Sequence, residues 1–339
     1  MDTQIVKRLS LSEAGQLADH VAAKSVFDRE LATLSENTRR ARRADLATWA
    51  TYLDAAQVDV TGCDFYGSPL CWAGVTSGLV SGFVQWMLKN GYAINAVNRK
   101  LSTVKVFCAM AAKAKVLDAG ELALIQSIKQ YQHGQGFELD KQRTVKRIGA
   151  KKSVAVDLDS DQAQKLKALP GDTPQAKRDR LMLCLMLDQA LRVSEIVILN
   201  VADFNIKRRT FTFYRPKVKA TETHRLTNAT ADALIDYLEA DGAPEIGRLI
   251  VGTTQHGALT GEPMSERAVT KRVNWLGKEY LGIDNLSAHD LRHSAATRAA
   301  RGGTGVNALM GLGGWTSAAT AMRYVNKQKI ANDGVKFEE

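Results

Sequence analysis

The feature that most limits how this chain can fold is an unbroken apolar run at residues 181–187, inside a helix predicted over Lys177–Ala190. A helix that is apolar on nearly every face must be buried on all of them. Cys184 lies within the run, where a thiol behaves as a small core hydrophobe. The run therefore predicts a deeply buried helix in the second half of the chain, and Arg192 follows it almost at once.

The 339 residues favour two domains of ordinary size. Residues 1–131 show helical periodicity almost throughout, residues 132–155 break it, and residues 156–339 mix helices with one strand-like stretch. In that stretch Thr210–Tyr214 alternates as a strand should, and residues 223–226 can pair with it as a hairpin. The pattern predicts a mainly α fold with a small β-sheet or hairpin in the C-terminal domain. Further helices are predicted at Ser160–Leu169, Ala231–Glu239, Ser265–Tyr280 and Ala288–Arg301.

Two basic helices are predicted in the first domain. One starts after the capping segment Ser35–Thr38, and its buried stripe is Leu46, Trp49 and Leu53. Its first turns carry Arg39, Arg40 and Arg43. The helix dipole disfavours cations there, so these arginines suit an opposing phosphate backbone, with a solvated basic face as the alternative.

The second basic helix is predicted from Asn95. Its inward residues are Val97, Leu101 and Val104, and its outward residues are Asn98, Lys100 and Lys105. The outward side chains are of types that suit base edges and phosphates, but they also suit an ordinary helix surface. We take them, with the arginines of the first helix, as candidate DNA contacts.

The break at residues 132–155 begins with a glycine-spaced turn, His133–Gly136, and predicts a cationic interdomain linker. Its basic residues are Lys141, Arg143, Lys146, Arg147, Lys151 and Lys152. The linker either tracks a phosphate backbone or is merely solvated. Over the whole chain Lys and Arg outnumber Asp and Glu by 46 to 36, a net charge of +10. This balance favours a polyanionic partner, although it also fits a soluble basic enzyme.

The cysteines and the N-terminus argue against several classes of protein. Four scattered cysteines without a CxxC pair support neither a zinc site nor a disulfide framework. Residues 1–4 do not begin a basic region followed by an apolar one, as a signal peptide does. No apolar stretch approaches the ~20 residues needed to cross a bilayer. We therefore expect a cytoplasmic protein without a membrane segment or a metal site.

Two motifs in the second half combine arginine with a group that can orient it. Arg192 is followed three residues later by Glu195, and a buried arginine is costly unless a carboxylate or another anion meets it. Ser287 with Asp290 makes a capping box, which places a histidine and an arginine on one face of the first helical turn. These two residues are His289 and Arg292. Helix N-termini attract phosphate, so the pair is similar to an oxyanion clamp, although a lone His-x-x-Arg often occurs by chance.

Two further segments carry possible acid, donor and nucleophile groups. The predicted hairpin turn holds Lys217 and Lys219, either of which could deliver a proton or simply keep the turn soluble. Gly311–Gly314 allow a tight approach to Trp315, whose indole N–H is a donor without acid–base character. Tyr324 follows, and by itself it would be read as a half-buried packing residue.

Together these residues resemble the tyrosine recombinase, or phage integrase, family. That family carries an arginine followed three residues later by Glu or Asp, a hairpin lysine, His-x-x-Arg, a His or Trp, and a nucleophilic tyrosine. The matching positions are Arg192, Glu195, Lys217 or Lys219, His289, Arg292, Trp315 and Tyr324. Tyr324 follows Trp315 by nine residues and Arg292 by 32, which is similar to the family's spacing. A tryptophan in place of the second histidine resembles the Cre subgroup, and the family's usual Leu-Gly-His is absent.

The resemblance covers residues 175–330 well and residues 20–130 more loosely. It implies a helical core-binding (SAM-like) domain at 1–131 and an α+β catalytic domain at 156–339, closing on one DNA half-site. Free monomers would join as a homotetramer on double-stranded DNA and exchange strands at a specific site through a Holliday junction. The setting would be a bacterial or phage-type cytoplasm, with the bound protein at the nucleoid. The tail Val325–Glu339 either docks on a neighbouring protomer or is frayed.

The resemblance also implies a role for each matched residue. Tyr324, activated by cationic surroundings, attacks phosphorus and leaves a 3′-phosphotyrosine. Arg192 and Arg292 hold the non-bridging oxygens, and a hairpin lysine protonates the departing 5′ oxygen. Lys217 is preferred because it lies nearer the strand, and Lys219 is the alternative. His289 and Trp315 add hydrogen bonds, Glu195 positions its neighbours, and no metal, ATP or other cofactor takes part.

Three other functions compete with this interpretation. A type IB topoisomerase uses a similar residue set but relaxes supercoils as a monomer. A repressor built on a degenerate recombinase would bind DNA without cutting it, which the intact residue set argues against. A metal-dependent nuclease is disfavoured because the sequence contains no acidic cluster of metal-binding type.

Overall fold

A computed structural model of the chain describes residues 10–145 and 155–326. The chain divides into two compact units, Met1–Ala150 and Lys151–Glu339, and each has its own hydrophobic core. The expected mainly α fold with small antiparallel sheets is confirmed. The exact domain bounds stay a prediction, because the linker residues 146–154 and the tail residues 327–339 lie outside the described residues.

The described part of the N-terminal unit contains helices and connecting loops but no strand. Its helices are α1 (Leu11–Ala32), α2 (Glu36–Ala55), α3 (Ser77–Lys89), α4 (Ile94–Lys113), α5 (Ala119–Ser127) and α6 (His133–Gln142), with a short 3₁₀ helix at Pro69–Trp72. Ser35 caps α2 by accepting a hydrogen bond from the Thr38 N–H, as predicted. The predicted stripes of α2 and α4 are buried, and Trp49 stacks on Trp72 with ring centroids 6.1 Å apart.

Helix α6 occupies the first part of the predicted linker, so the glycine-spaced turn expected at His133–Gly136 is wrong. Gly136 instead permits close packing, because a Cβ there would lie 2.9 Å from Cγ2 of Ile94. Arg143, which follows α6, donates to the main-chain carbonyl of Leu88 at 3.3 Å. This part of the predicted linker therefore packs onto the N-terminal unit.

The C-terminal unit is built around α8. Its elements are α7 (Ser160–Lys167), α8 (Pro174–Leu187), α9 (Val193–Ile196), β1 (Phe204–Asn205), β2 (Thr210–Arg215), β3 (Ala220–Arg225), α10 (Asn228–Leu238), β4 (Val251–Thr253), β5 (Leu259–Pro263), α11 (Glu266–Leu281), α12 (Ala288–Arg301), α13 (Val306–Gly313) and α14 (Ala318–Asn326). Every residue from 181 to 187 is at most 1% exposed, which confirms the buried helix. All five predicted helices of this half are present, with ends shifted by at most three residues.

The predicted hairpin is confirmed as β2 and β3, which pair antiparallel with Thr210 opposite Arg225. Strand β1 extends it to a three-stranded sheet. Phe211, Phe213 and Arg215 all point to the buried face of β2. The hairpin of β4 and β5 was not predicted, because its short, mostly exposed strands contain glycines and lack apolar alternation.

Candidate active site

Arg192 is placed by the connection from α8 to α9. Ala190 adopts a left-handed φ of 50°, a conformation that is uncommon outside glycine, and Arg192 then becomes the N-cap of α9. The main-chain N–H and Nη1 of Arg192 donate to the carboxylate of Glu195 at 2.8 and 2.6 Å. The Glu195 side chain is fully buried, whereas that of Arg192 is 19% exposed. The carboxylate therefore holds Arg192 while leaving part of its guanidinium open to a ligand.

Arg292 lies one turn into α12 and is buried. Its Nη1 donates to the carbonyl of Ala190 and its Nη2 to the carbonyl of Gly313. Burial, together with the nearby charge of Arg192, lowers the pKa of Arg292 to about 10. The side chain is still cationic at neutral pH, but burial and the positive charges of neighbouring arginines disfavour its charged form. An anion beside it would therefore be stabilised.

The two guanidinium groups meet at one point, although they are 100 residues apart in the chain. Nη2 of Arg192 also donates to the carbonyl of Gly313, at 3.3 Å. Two guanidinium groups that share an oxygen partner are close enough to contact two oxygens of one phosphate. The clamp expected from the sequence is therefore geometrically available.

Trp315 and Tyr324 lie next to this pair of arginines. Their rings stack with centroids 5.0 Å apart and an interplanar angle of 19°. Cζ of Arg292 is 5.5 Å from the centroid of the Trp315 ring. A Cβ at Gly313 would lie 2.6 Å from Cδ2 of Trp315, so the expected tight approach of the glycine segment to the indole is present.

The electrostatics of Tyr324 differ from the expectation. Burial raises its pKa above the ordinary value, and the charges of Arg292 and Arg323 only partly oppose this effect. In the free protein desolvation of the phenolate therefore outweighs the attraction of the cations, and the expected activation of the phenol on DNA stays a prediction.

His293 lies within hydrogen-bond distance of the Tyr324 hydroxyl, and the sequence interpretation missed it. Its Nδ1 lies 3.4 Å from the Tyr324 hydroxyl, and the two ring centroids are 5.1 Å apart. The only local signal was a second histidine directly after Arg292 in the motif. That signal is weak, because adjacent residues on a helix point in directions about 100° apart.

Three predicted residues are exposed and take no part in the contacts described above. His289 is exposed in the first turn of α12, one turn before Arg292. Lys217 and Lys219 are both exposed in the turn between β2 and β3. Their exposure does not distinguish the two lysines, and the choice between them stays open.

The candidate DNA contacts on α4 bind within the protein instead. Lys100 is 7% exposed and pairs with the buried Asp45 at 3.2 Å, so its predicted outward direction is wrong. The reason is that α4 packs on α2, where the Asp45 carboxylate needs a cation. Burial also lowers the pKa of Lys100. Asn98 donates to the Tyr131 carbonyl at 2.8 Å, and Lys105 donates to the Gln126 carbonyl at 2.9 Å.

The three arginines predicted on α2 are spread among different partners. Arg39 donates to the carbonyls of Leu34 and Ala32 at 3.1 Å, whereas Arg43 lies over the Tyr66 ring with Cζ 4.4 Å from its centroid. Arg40 is exposed and donates to a neighbouring side chain on α2. Beside them α2 and α4 line an open cleft of about 590 Å³. Its polar lining includes Arg42, Asn98, Arg99, Ser102 and Gln130.

Within residues 10–145 and 155–326, no three His, Cys, Asp or Glu side chains are grouped so that they could hold a metal ion. No helix in the same ranges is long and apolar enough to cross a membrane.

Comparison with known proteins places this site in a family context. The sequence profile of the phage integrase family matches residues 157–330, which include the two arginines, Trp315 and Tyr324. Tyrosine recombinase XerC of Mycobacterium leprae is 27% identical over 316 residues, covering 91% of this chain and 96% of that protein. XerC of Chromohalobacter salexigens is 26% identical over 309 residues, covering 90% of each chain.

Two solved structures share the fold. An integrase of the Tn1549 transposon, in complex with a circular intermediate DNA, superposes with a TM-score of 0.61 at 14% identity, covering 89% of this chain and 94% of that one. A lambda integrase dimer bound to a COC′ core site superposes with a TM-score of 0.57 at 16% identity, covering 93% and 97%. The likeness extends over both units of this chain.

Proposed function

Because the chain belongs to the phage integrase family, we propose that it is a site-specific tyrosine recombinase that cuts and rejoins DNA through Tyr324. The observation that carries this proposal is the meeting of Arg192 and Arg292 at the Gly313 carbonyl, beside the stacked rings of Trp315 and Tyr324. A phosphate at this point would meet two fixed cations and a phenol together.

In this proposal the two arginines provide most of the transition-state stabilisation. A phosphodiester gains negative charge as a fifth oxygen bonds to phosphorus, and preorganised cations stabilise that charge. Arg192 and Arg292 hold the non-bridging oxygens, which suits the guanidinium fork. His289 and the Trp315 indole add hydrogen bonds, the latter in the manner of Cre-like enzymes. Glu195 orients Arg192 and does not react.

In the proposed step Tyr324 loses one proton and the departing 5′ oxygen gains one. A bond forms between the Tyr324 oxygen and phosphorus, and the bond from phosphorus to the 5′ oxygen breaks. The phenolic proton moves to Nδ1 of His293, and a hairpin lysine protonates the departing oxygen. The phosphotyrosine conserves the bond energy, so a 5′-hydroxyl of a partner strand can reverse the step without ATP.

The proposed partner is double-stranded DNA that carries a specific site. The DNA complexes of the Tn1549 and lambda integrases support this partner. In the N-terminal unit the cleft between α2 and α4 offers Arg42 and Arg99 to the backbone, together with Arg40 nearby. We extend the proposal to a homotetramer that resolves a Holliday junction. The tail 325–339, expected either to dock on a neighbour or to be frayed, lies mostly outside the described residues.

One experiment tests the function directly. The protein is incubated in EDTA with a nicked suicide substrate that carries its site, and an SDS-resistant protein–DNA adduct is sought. An adduct that maps to Tyr324 is expected even in EDTA, because in this proposal arginine side chains rather than a metal ion hold the phosphate. Binding without an adduct would favour a non-catalytic DNA-binding protein, and relaxation of any supercoiled plasmid by a monomer would favour a topoisomerase.

The identity of the acidic lysine can be tested with a sulfur leaving group. Lys217→Ala is expected to slow cleavage of a normal site by about 10²-fold or more, because the 5′ oxygen leaves without a proton. The measurement is single-turnover cleavage of a substrate whose 5′ bridging oxygen is replaced by sulfur, which leaves without protonation. We expect the variant to recover the wild-type rate on this substrate.

Lys219→Ala is the matched control, since it alters the same exposed turn. It should cleave both substrates at close to the wild-type rate. If Lys219→Ala is instead the slow variant rescued by sulfur, the two assignments are exchanged. If neither variant is slow, the acid is not on this turn.

The role of His293 can be tested through pH. His293→Phe keeps a ring beside Tyr324 but removes the proton acceptor, so cleavage at pH 7 should slow by about 10²-fold. The deficit should shrink as the pH rises towards the phenol pKa, because the tyrosine then loses its proton without help. Cleavage rates measured from pH 7 to 9.5 provide the test, with His256→Phe on an exposed turn as the control. A deficit that does not change with pH would contradict the role.

A further inference from the structure

Arg215, the last residue of β2, is a fully buried arginine for which the sequence interpretation found no role. Burying a guanidinium without partners is costly, so a fully enclosed one must be bonded on several sides. Nη1 donates to both oxygens of Glu195 at 3.2 and 3.1 Å, and Nε donates to Glu222 at 2.6 Å. Nη2 donates to the carbonyls of Leu312 and Gly311 at 3.0 and 3.3 Å and to His224 Nε2 at 3.1 Å.

The residues around Arg215 pack closely against its side chain. Its Cζ lies 4.7 Å from the Phe213 ring centroid, which covers one face of the guanidinium. Gly314 covers another side, where a Cβ would lie 2.6 Å from Cδ of Arg215. His224 must accept from Arg215, and burial with the arginine's charge lowers the pKa of His224, which keeps its ring neutral. Glycine at 314 is therefore required by the arginine as well as by its own φ of 53°.

Arg215 contacts two parts of the candidate active site at once. It shares the Glu195 carboxylate with Arg192, whose Nη1 lies 2.6 Å from the same Oε1. It also holds two carbonyls at the end of α13, directly before the segment that carries Trp315. The positions of Arg192 and of the Trp315 segment thus depend on one guanidinium.

We propose that Arg215 is a positioning residue for strand cleavage, which holds Glu195 and the end of α13 so that Arg192 and Trp315 meet the scissile phosphate correctly. Arg215 is enclosed by protein and does not touch the DNA. The inference depends on the proposed recombinase function, and it adds a residue outside the set that the family resemblance identified.

The test is a double-mutant cycle on single-turnover cleavage of pre-bound substrate. Arg215→Lys keeps the charge but cannot bond to Glu195 and the carbonyls together, so cleavage should slow by about 10²-fold through misplacement of Arg192. Because part of the effect passes through Arg192, the loss caused by Arg215→Lys should be several-fold smaller in an Arg192→Ala background than in the wild type, and the remaining loss passes through the Trp315 segment. The wild-type Kd for DNA should be retained. Arg209→Lys, at the exposed start of the same hairpin, is the control and should match the wild type.

The outcomes separate the inference from the function on which it depends. If Arg215→Lys cleaves at the wild-type rate, or if its effect multiplies with that of Arg192→Ala, Arg215 does not position Arg192. Should Arg215→Lys fail to fold, the same cycle with Glu222→Gln, which weakens the hold on Nε of Arg215 without removing the arginine, decides the matter. If the wild type forms no adduct at all, the recombinase function itself is wrong.

Discussion

Tyr324→Phe should bind its DNA site with the wild-type Kd and form no detectable covalent adduct. The change removes a single oxygen, and it is this oxygen that would bond to phosphorus. The ring would remain stacked on Trp315 at 5.0 Å, so the fold around it should not change. The loss expected is of the whole reaction, since the remaining groups stabilise charge but supply no nucleophile.

The measurement is a denaturing gel of the suicide-substrate reaction, beside a binding titration of the same preparation. Tyr280→Phe is the control, because Tyr280 is a partly exposed tyrosine at the end of α11. It should form the adduct normally. An adduct that persists in Tyr324→Phe and disappears in Tyr280→Phe or in another tyrosine variant would overturn the assignment of the nucleophile.

Arg192→Ala should reduce the cleavage rate by about 10²–10³-fold, equivalent to ~3–4 kcal/mol of transition-state stabilisation. The substitution should cost little stability. Glu195 keeps Arg215 as a partner at 3.1 Å, so no buried carboxylate is left without a cation. Arg192 is therefore the cleaner of the two clamp positions for a kinetic test.

Arg292→Ala should cause a loss of the same size in cleavage and a loss in stability as well. The carbonyl of Ala190 would become a buried acceptor without this donor, at about 1–3 kcal/mol, whereas the carbonyl of Gly313 keeps Arg192 as a donor. Arg292→Lys keeps a cation and should melt closer to the wild type. It should still cleave slowly, because an ammonium cannot bond two oxygens as the planar fork does.

Both clamp variants are compared in single turnover on pre-bound DNA, with thermal unfolding measured on the same samples. Arg301→Ala, at the far end of α12, is the control and should cleave as the wild type does. If Arg192→Ala or Arg292→Ala cleaved at a near-normal rate while folded, the two guanidinium groups would not be the phosphate clamp.

Several parts of the structure follow from patterns that are local in the chain. The cap at Ser35, the capping box at Ser287 and the β2–β3 hairpin depend on residues a few positions apart, and the structure contains all three. The apolar run at 181–187 likewise allows only a buried helix. The order and spacing of Arg192, Arg292 and Tyr324 were visible for the same reason, since each lies in a short motif.

Other features depend on which groups meet across the fold. Lys100 was expected on the surface because it lies on the polar face of its predicted helix. It is buried instead, because it donates to the carboxylate of Asp45, 55 residues away in the chain. Tyr324 was expected to have an activated phenol because cations are near, but the depth of its burial raises its pKa instead. Neither the partner nor the depth can be read from neighbouring residues.

The sequence by itself determined the helices of both halves of the chain, the β2–β3 hairpin and the identity of the candidate site residues. It could do so because helical periodicity and end-capping act over one or two turns. Only the tertiary structure decided that Arg192 and Arg292 share the Gly313 carbonyl, that His293 faces the phenol and that Arg215 supports Glu195. Those contacts join distant elements, and the energy of a buried charge depends on its desolvation and its partners, both of which arise only when the chain is packed.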